Sequence, residues 1–215
     1  MPEFSDEATR AKRDLRVALL AARRSLSAPR RAEAAASVQA ELVTLVRRLR
    51  PARITAYVPV ASEPGGDDLP EVLRSALPPE GELLLPVLRD DLDLDWAPYT
   101  GRGSLRAAGR GLREPTAPPR GRAAVAGAAL VVVPAVAVDR RGVRLGRGGG
   151  SYDRALARVP ATAPTVALLH DGELVEVVPA QAHDRPVHSV ITPGGGLVAV
   201  PGVGPGASAG RTRVP

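Results

Sequence analysis

The chain has no cysteine, one methionine, one lysine and five aromatic residues among its 215 positions. Without cysteine it can form neither a disulfide nor a thiol-based catalytic or metal site, which is compatible with a reducing cytosol. Because aromatic residues make up only 2% of the chain, its core must consist of alanine, valine and leucine. The sequence also lacks a signal peptide and an apolar run of about 18 residues, so we expect a cytoplasmic protein that does not enter a membrane.

Positive charge comes almost entirely from arginine. The 29 basic residues exceed the 23 acidic ones, which gives a formal net charge of +6, and Lys12 is the only lysine. An excess of arginine is typical of proteins that bind nucleic acid or a small anionic ligand. Here the arginines are interleaved with acidic residues and lack neighbouring aromatics for base stacking, so nucleic acid is not an expected partner.

Helix and strand patterns alternate along the chain. Apolar spacing and capping residues predict a helix over residues 6–25, with Ser5 or Asp6 as N-cap, and a second over 27–50, with Ser27 as N-cap. Such alternation favours an α/β fold with a mostly parallel sheet. The shorter predicted elements are helices at 67–75 and 151–158, a polar loop at 101–124, and strands at 54–59, 82–86, 92–99, 131–138, 164–169 and 187–192.

The length suits one domain of ordinary size with a sizeable core. We assign residues 1–193 to this domain. From Gly194 onward the composition changes to glycine, proline and alanine, with seven glycines in 22 residues, so residues 194–215 are predicted to form a disordered tail. We expect a monomer or a weak dimer.

The most informative stretch lies between Val131 and Arg154. An apolar, strand-like run leads into an arginine-rich turn, and four glycines follow before Ser151 opens a predicted helix. Glycines allow backbone N–H groups to approach a ligand closely, and a helix N-terminus adds unpaired donors. The pattern predicts an anion site, most simply for phosphate. The glycines are Gly146, Gly148, Gly149 and Gly150, and the surrounding arginines are Arg140, Arg141, Arg144 and Arg147.

Several familiar sites do not fit this stretch. A dinucleotide fingerprint needs glycine where Ser151 stands, and the Gly-Lys-Ser/Thr ending of a P-loop is missing. Asp153 replaces the second glycine of a nucleophile elbow. His170, His183 and His188 lack a familiar metal spacing and are interpreted as ordinary polar residues. Because glycine turns between a strand and a helix are also common without a ligand, that alternative stays open.

The first predicted helix carries a second basic feature. Lys12 and Arg16 are four residues apart and share a face, on which Arg23 also falls. Taken alone, this stripe is best interpreted as a solvated face. The use of lysine at this single position suggests instead a compact charge suited to a phosphate oxygen.

Five segments, occurring in order over roughly residues 11 to 192, resemble the 5-formyltetrahydrofolate cyclo-ligase family, also called methenyltetrahydrofolate synthetases. The fourth segment closely resembles the signature of that family, and the ordered set makes the resemblance specific. The segments are KRDLR (12–16), YVPVASE (57–63), REP (113–115), VPAVAVDRRGVRLGRGGGSYD (133–153) and AHD (182–184).

The resemblance implies a three-layer α/β/α domain with a mostly parallel central sheet, similar to methenyltetrahydrofolate synthetases and to the sugar-phosphate isomerase and CoA-transferase group. It also implies a ligase that couples ATP hydrolysis to ring closure. In that reaction 5-formyltetrahydrofolate becomes 5,10-methenyltetrahydrofolate, and ADP and phosphate are released. The implied partners are therefore ATP and a reduced formyl-folate, with Mg²⁺ as cofactor.

The resemblance further implies roles for individual residues. Arg147 and Lys12 are implied in catalysis, and Asp153 and Asp184 in holding Mg²⁺. Helix capping remains the alternative role for Asp153, and a turn position remains the alternative for Asp184. The implied folate contacts are Val58, Glu63, Arg147, Gly148, Gly149, Gly150 and Ser151. The implied ATP contacts are Lys12, Arg13, Asp14, Leu15, Arg16, Arg144, Leu145, Gly146, Arg147, Gly148, Gly149, Gly150, Ser151 and Tyr152.

Three places depart from the family pattern. Residues 64–67 replace the usual segment after Glu63, Ser151 stands where an aromatic residue is common, and His188 stands where an acidic residue is common. These departures put the geometry of the folate pocket in doubt and keep two alternatives open. One is a relative that uses the same phosphate cradle for another small anionic substrate, and the other is a non-catalytic relative that binds nucleotide or RNA.

Overall fold

The computed structural model of the chain describes residues 3–181 and 184–200. Its α-helices are α1 (Glu3–Ser25), α2 (Ala28–Leu49), α3 (Leu69–Ala76) and α4 (Ser151–Leu156). Its strands are β1 (Arg53–Thr55), β2 (Glu82–Leu88), β3 (Leu94–Pro98), β4 (Leu105–Ala107), β5 (Arg113–Pro115), β6 (Leu130–Pro134), β7 (Ala137–Asp139), β8 (Arg144–Leu145), β9 (Thr165–Leu168), β10 (Leu174–Val175), β11 (Ser189–Thr192) and β12 (Gly196–Ala199). Short 3-10 helices span Arg102–Ser104, Gly109–Gly111 and Arg122–Gly127.

Seven strands form the central sheet, in the order β12-β11-β9-β6-β1-β2-β3. The five inner strands are parallel, whereas β3 and β12 pair antiparallel with their neighbours at the two edges. On the outer side of β3, the Trp96 N–H donates to Asp95 Oδ1 at 2.8 Å and the Trp96 carbonyl accepts from the Arg120 N–H at 2.8 Å. The predicted mostly parallel α/β sheet is confirmed.

Apolar side chains cover both faces of this sheet. On one face Leu42 of α2 and Leu73 of α3 pack with alternate strand residues such as Ile54. On the other face Leu156 of α4 packs with the intervening residues, including Val131. Alternation along each strand sends successive side chains to opposite faces, so a buried parallel strand supplies both cores. The result is the expected three-layer α/β/α arrangement.

Helix α1 does not cover the central sheet. Its partly buried leucines, Leu15, Leu19 and Leu20, pack against the small sheet with strand order β10-β7-β8. This small sheet is built from the chain that follows β6 and β9, so it lies beyond the carboxyl ends of those strands. Consequently α1 is placed beside the loops of the carboxyl edge.

The topology predicts a crevice at that edge. From β1 the chain proceeds to β2 on one side, whereas β6 and β9 lie on the other side of β1. Loops after β1 and β6 therefore diverge from a topological switch point, where open α/β sheets bind their ligands. Glu63 lies in the first of these loops and the glycine segment at 146–150 in the second.

The sequence predicted one strand over residues 131–138, and this is wrong. The chain leaves the central sheet after Pro134 and joins the small sheet as β7, where Val136 N–H donates to the Leu145 carbonyl at 2.7 Å. Nearly every residue in this stretch is buried, whether it lies in the central sheet or in the small one. The uninterrupted apolar run therefore could not reveal the change from one sheet to the other.

Other boundaries also needed correction. The N-cap at Ser27 is confirmed, since its side chain accepts a hydrogen bond from the Arg30 N–H, but α1 begins at Glu3 rather than after Ser5 or Asp6. The predicted disordered tail at 194–215 begins too early, because β12 pairs with β11 and Val200 is buried. The rest of that segment, residues 201–215, lies outside the described residues. No helix in the described ranges is both long and apolar enough to cross a bilayer.

Arg23 is the most deeply buried charge among residues 7–25 of α1, with 1% of its surface exposed. Its Nε and Nη2 donate to the two carboxylate oxygens of Glu173 at 2.6 and 2.8 Å, and Nη2 also donates to the Ala135 carbonyl at 2.5 Å. The interpretation of the basic stripe as a solvated face is therefore wrong at this position. A two-point ion pair ties α1 to the loops that follow β6 and β9.

We predict that Arg23→Met lowers the free energy of unfolding by about 3–5 kcal/mol, because it leaves the Glu173 carboxylate buried without its partner. Arg24→Met is the matched control: Arg24 is exposed on the same helix, and its loss should cost less than about 0.5 kcal/mol. Urea unfolding of the three proteins measures both values. Equal effects of the two substitutions would contradict this role of Arg23.

Candidate functional site

Two loops meet across the switch point. Arg147, in the glycine segment after β8, forms an ion pair with Glu63, in the loop after β1, and its Nε lies 3.0 Å from Glu63 Oε1. The Glu63 side chain is 10% exposed, whereas half of the Arg147 side chain is open to solvent. The structure thus brings together two residues that the resemblance implies as folate contacts.

In the glycine segment at 146–150, arginine side chains bind two of the backbone carbonyls, whereas the backbone N–H groups are left unpaired among the described residues. Gly146 O accepts a hydrogen bond from Arg16 Nε at 2.9 Å, and Gly149 O accepts one from Arg154 Nη2 at 3.1 Å. Within the described part of the chain, no group accepts a hydrogen bond from the backbone N–H groups of residues 146–150. Consecutive unpaired N–H groups in a turn form a concavity suited to an anion.

Glycine is required at two positions of this segment. Gly148 has φ +101° and Gly150 has φ +66°, a backbone region that other residues rarely adopt. A Cβ at Gly150 would also stand 3.0 Å from Arg154 Nη1. The following helix α4 has only six residues, shorter than the predicted 151–158, so its dipole is small. Anion affinity here must depend on the amides and the cations.

Helix α1 delivers two of those cations. Arg16 contacts Gly146 directly, and its guanidinium carbon lies 3.8 Å from the Cβ position of Gly148. Lys12 is one helical turn earlier, about 6 Å along the axis, and only 9% of it is exposed. Its Nζ donates to Asp184 Oδ2 at 2.7 Å and to Gln181 Oε1 at 3.3 Å. The lysine is therefore placed one helical turn from the arginine that contacts the glycine segment.

The other predicted contacts on α1 are placed differently. Arg13 and Asp14 are exposed and pair with each other at 3.3 Å, on a face that turns away from the loop. Leu15 packs against the small sheet. The structure does not bring these three side chains to the glycine segment.

Arg144, Leu145 and Tyr152 flank the glycine segment from the inside. Arg144 Nη2 donates to Asp153 Oδ1 at 2.8 Å, and its guanidinium carbon lies 5.8 Å from the centre of the Tyr152 ring. Leu145 is part of the core under α1. The Tyr152 hydroxyl is buried and has no hydrogen-bond partner among the described residues. Burial, with a smaller contribution from the Glu63 charge, raises the pKa of this phenol, so the hydroxyl keeps its proton.

Glu63 is held as a buried acceptor. Its Oε2 accepts a hydrogen bond from the Val60 N–H at 2.9 Å, and its own N–H donates to the Val60 carbonyl at 3.1 Å. Burial raises the pKa of the Glu63 carboxyl, and the Arg147 charge and the Val60 amide offset part of this increase. Val58, also predicted to contact the folate, is buried in the core beneath α2, so its side chain is not presented to a ligand.

The segment that departs from the family pattern forms an ordered turn. Tyr57 Oη donates to the Pro64 carbonyl at 2.7 Å, and Gln39 Nε2 donates to the Gly65 carbonyl and to Asp68 Oδ1, both at 2.7 Å. Gly65 has φ +107°, and a Cβ there would lie 2.9 Å from a methyl group of Leu69. Glycine is therefore needed, and the departure fixes the loop that carries Glu63.

The two other departures are also located. Ser151 is the first residue of α4 and is half-buried beside the glycine segment. His188 pairs through Nδ1 with Thr165 Oγ1 at 2.7 Å, at the amino-terminal ends of β9 and β11. That edge of the sheet is opposite to the switch-point loops, so His188 cannot shape the crevice. His183 lies outside the described residues.

The carboxylates of Asp153 and Asp184 suit a hard cation that arrives with phosphates. Each accepts a hydrogen bond from a cation, Asp153 from Arg144 and Asp184 from Lys12. No group of three or more His, Cys, Asp or Glu side chains in the described ranges could hold a metal alone. Mg²⁺ commonly takes one or two carboxylates and completes its shell with phosphate oxygens and water, so this donor set fits it.

Sequence reasoning missed a buried polar group behind the site. Glu173 and His170, which follow β9, contact Arg23 and the Ser62 carbonyl. The spacing of Arg23 on the basic stripe was the available signal for one end of this group. Nothing in the sequence marked Glu173 as its partner, because the two residues are 150 positions apart.

The family model and the relatives that match this chain carry the same family name. The model of the 5-formyltetrahydrofolate cyclo-ligase family matches residues 8–193. The 5-formyltetrahydrofolate cyclo-ligase of Mycolicibacterium smegmatis is 42% identical over 196 residues, which span 89% of this chain and 98% of that relative. The 5-formyltetrahydrofolate cyclo-ligase of Escherichia coli K12 is 44% identical over 66 residues, which span 30% of this chain and 36% of that relative.

Solved structures agree with the sequence comparison. The NMR structure of Aquifex aeolicus 5,10-methenyltetrahydrofolate synthetase superposes with a TM-score of 0.72 at 26% identity, covering 94% of this chain and 99% of that one. A 5,10-methenyltetrahydrofolate synthetase from Mycoplasma pneumoniae superposes with a TM-score of 0.65 at 18% identity, covering 83% and 96% of the two chains. The second likeness concerns the fold alone.

We predict that Arg147→Met raises the pKa of the Glu63 carboxyl further, because the substitution removes the nearby positive charge that partly offsets burial. A carboxyl whose folded-state pKa is raised contributes stability fully below its usual pKa and loses that contribution as pH rises through the folded value. The loss should therefore occur at higher pH in the variant. Titration of the side-chain carboxyl carbon of Glu63 by NMR measures the shift.

The matched control for this titration is Arg140→Met, since Arg140 is exposed and pairs with Glu176 instead. It should leave the titration of Glu63 unchanged. A Glu63 pKa that stays the same or falls in the Arg147 variant would contradict the coupling of the two groups.

Proposed function

The chain belongs to the 5-formyltetrahydrofolate cyclo-ligase family, and we propose that it converts 5-formyltetrahydrofolate to 5,10-methenyltetrahydrofolate in a reaction that consumes ATP and requires Mg²⁺. ADP and phosphate are the other products. We propose the cytoplasm as the place of this reaction. The observation that carries the proposal is the contact of Arg147 with Glu63, which joins an anion cradle to a buried carboxylate at the switch point.

The phosphate side of the proposal is supported by converging positive charge. Arg16 contacts the glycine segment, Lys12 lies one turn away, and Arg147 projects from the segment itself. The unpaired N–H groups of residues 146–150 add donors without adding side chains. Such groups stabilise a triphosphate and the charge that develops when its terminal phosphoryl group is transferred.

The folate side is supported by Glu63. A carboxylate held in place by the Val60 amide and largely shielded from water is a strong acceptor for the N–H groups of a pterin ring. Its contact with Arg147 puts this acceptor next to the phosphate cradle. The formyl group and the terminal phosphate are then brought together by positioning, which accounts for much of the rate in phosphoryl transfer.

The reaction balances in two steps. The formyl oxygen attacks the terminal phosphorus of ATP, the bond from phosphorus to the bridging oxygen breaks, and ADP leaves. The resulting iminium phosphate carries a good leaving group. The neighbouring folate nitrogen then bonds to the formyl carbon and loses its proton, the carbon–oxygen bond breaks, and phosphate leaves. The protein contributes orientation and charge neutralisation, with Lys12, Arg16 and Arg147 facing the phosphates.

Asp153 and Asp184 are the residues that would hold Mg²⁺, whose contribution is to neutralise phosphate charge. Each carboxylate already pairs with a cation of the chain, Asp153 with Arg144 at 2.8 Å and Asp184 with Lys12 at 2.7 Å. In this proposal the two aspartates face the metal ion of the nucleotide, and the glycine amides face the phosphate oxygens.

The proposal is tested by mixing the purified chain with 5-formyltetrahydrofolate, ATP and Mg²⁺ and following the absorbance band of methenyltetrahydrofolate. We expect a rise that requires both ATP and Mg²⁺ and that is matched by equimolar phosphate. Folded protein that gives no ATP-dependent rise would refute the proposed reaction. Salt-sensitive binding of RNA by such an inactive protein would instead favour a nucleic-acid-binding relative.

We predict that Lys12→Ala raises the KM for ATP about 10- to 100-fold, because it removes a charged hydrogen bond to a phosphate, and that it changes the KM for folate much less. Arg10→Ala is the control, since Arg10 is an exposed cation on the same helix. Steady-state kinetics with each substrate varied in turn measures the effect. Equal losses for both substrates, or unchanged ATP kinetics, would remove Lys12 from the nucleotide site.

A further inference from the structure

A buried chain of hydrogen bonds passes behind the site and includes neither the glycine segment nor the side chain of Glu63. It begins with the ion pair of Arg23 and Glu173 and continues through His170 to the carbonyl of Ser62. Every side chain in it is buried, including His170, which is 6% exposed. Buried polar groups of this kind are fully paired only in one arrangement, so they define geometry.

The backbone and the ring of His170 make different hydrogen bonds. Its backbone N–H donates to Glu173 Oε2 at 2.8 Å, which fixes the residue at the end of β9. Its ring Nε2 lies 3.0 Å from the Ser62 carbonyl oxygen. A carbonyl oxygen can only accept a hydrogen bond, so Nε2 must carry the hydrogen. The imidazole is therefore a donor aimed at the loop after β1.

The acceptor of that hydrogen bond belongs to the peptide unit of Glu63. The Ser62 carbonyl and the Glu63 N–H are the two polar groups of one planar peptide. His170 holds the carbonyl, and the Val60 carbonyl holds the N–H at 3.1 Å. With both groups bound, the peptide plane cannot rotate, and the Glu63 side chain leaves the backbone in one direction.

The opposite end of this hydrogen-bond chain contacts the loop after β6, which leads to the glycine segment. Arg23 Nη2 donates to the carbonyl of Ala135, the first residue after β6 on the way to the glycine segment. Glu173 accepts from Arg23 and from His170 at the same time. One carboxylate thus links the loops after β1, β6 and β9 at the carboxyl edge of the sheet.

We propose that His170 is a positioning residue for folate recognition, which acts by fixing the Ser62–Glu63 peptide through its Nε2–H. The inference rests on the proposed role of Glu63 as the acceptor for the pterin. Loss of the ring donor lets the peptide rotate and moves the carboxylate away from its direction toward the folate. The phosphate cradle is held separately by Arg16 and Arg154, so nucleotide binding is spared.

The test compares His170→Phe, which keeps the ring and removes the donor, with His170→Gln, which keeps a donor at a similar reach. We expect His170→Phe to raise the KM for 5-formyltetrahydrofolate about tenfold and to leave the KM for ATP within about twofold. His170→Gln should restore most of the folate KM. The control is His188→Phe, at the opposite edge of the sheet, which should change neither KM.

The outcomes separate this inference from the proposed function. Glu63→Gln sets the scale for a direct loss of the folate acceptor. If Glu63→Gln raises the folate KM and His170→Phe does not, the positioning role is overturned while the function stands. If His170→Phe raises both KM values equally, or His170→Gln gives no rescue, the residue has only a general structural effect and the proposal also fails.

Two measurements do not depend on catalysis. Nitrogen-15 NMR of the wild-type chain should show the hydrogen of His170 on Nε2, and a neutral ring protonated only on Nδ1 would overturn the proposal. Hydrogen exchange at the Glu63 amide should become about tenfold faster in His170→Phe, because the Ser62–Glu63 peptide loses one of its two anchors. An unchanged exchange rate would also overturn it.

Discussion

The position of α1 depends on one buried ion pair. Arg23 and Glu173 hold the helix against the loops after β6 and β9, and the partly buried leucines of α1 pack on the small sheet beyond those strands. Because the helix is fixed at Arg23, its residues two and three turns earlier are fixed as well. Arg16 then meets the glycine segment, and Lys12 lies one helical turn before Arg16 and contacts Asp184. A cation near the start of the chain can therefore contact a loop 130 residues later.

The same edge of the sheet concentrates charge without leaving it unbalanced. Three carboxylates of the candidate site each face a cation: Glu63 faces Arg147 at 3.0 Å, Asp153 faces Arg144 at 2.8 Å, and Asp184 faces Lys12 at 2.7 Å. Pairing of this kind lowers the cost of partial burial. Two of the pairs, Glu63 with Arg147 and Asp184 with Lys12, also join parts of the chain that are far apart in sequence, whereas Arg144 and Asp153 are nine residues apart.

Features of this structure that depend on neighbouring residues could be predicted from the sequence. Features that depend on pairing between distant residues could not. The alternating elements, the Ser27 cap and the glycine segment could be identified because propensity, capping and turn chemistry act over a few residues. The break after Pro134 and the strand at Gly196–Ala199 could not, since both depend on which strand lies alongside. For the site, the resemblance implied Glu63 and Arg147 as folate contacts, and the structure places an oxygen of the first 3.0 Å from a nitrogen of the second. The pairing of Arg23 with Glu173 had no local signal, because only the folded topology brings those positions together.

The outer side of β3 has a consequence for how copies of this chain behave toward one another. An edge strand with unpaired backbone groups is a template for intermolecular strand addition and aggregation. Here the outward N–H of Trp96 is taken by the carboxylate of Asp95, and its carbonyl is taken by the backbone of Arg120. Pro98, at the end of the strand, has no N–H to offer. A strand of another copy therefore cannot pair with this edge. At high protein concentration this disfavours aggregation through a sheet that is built largely of valine and leucine.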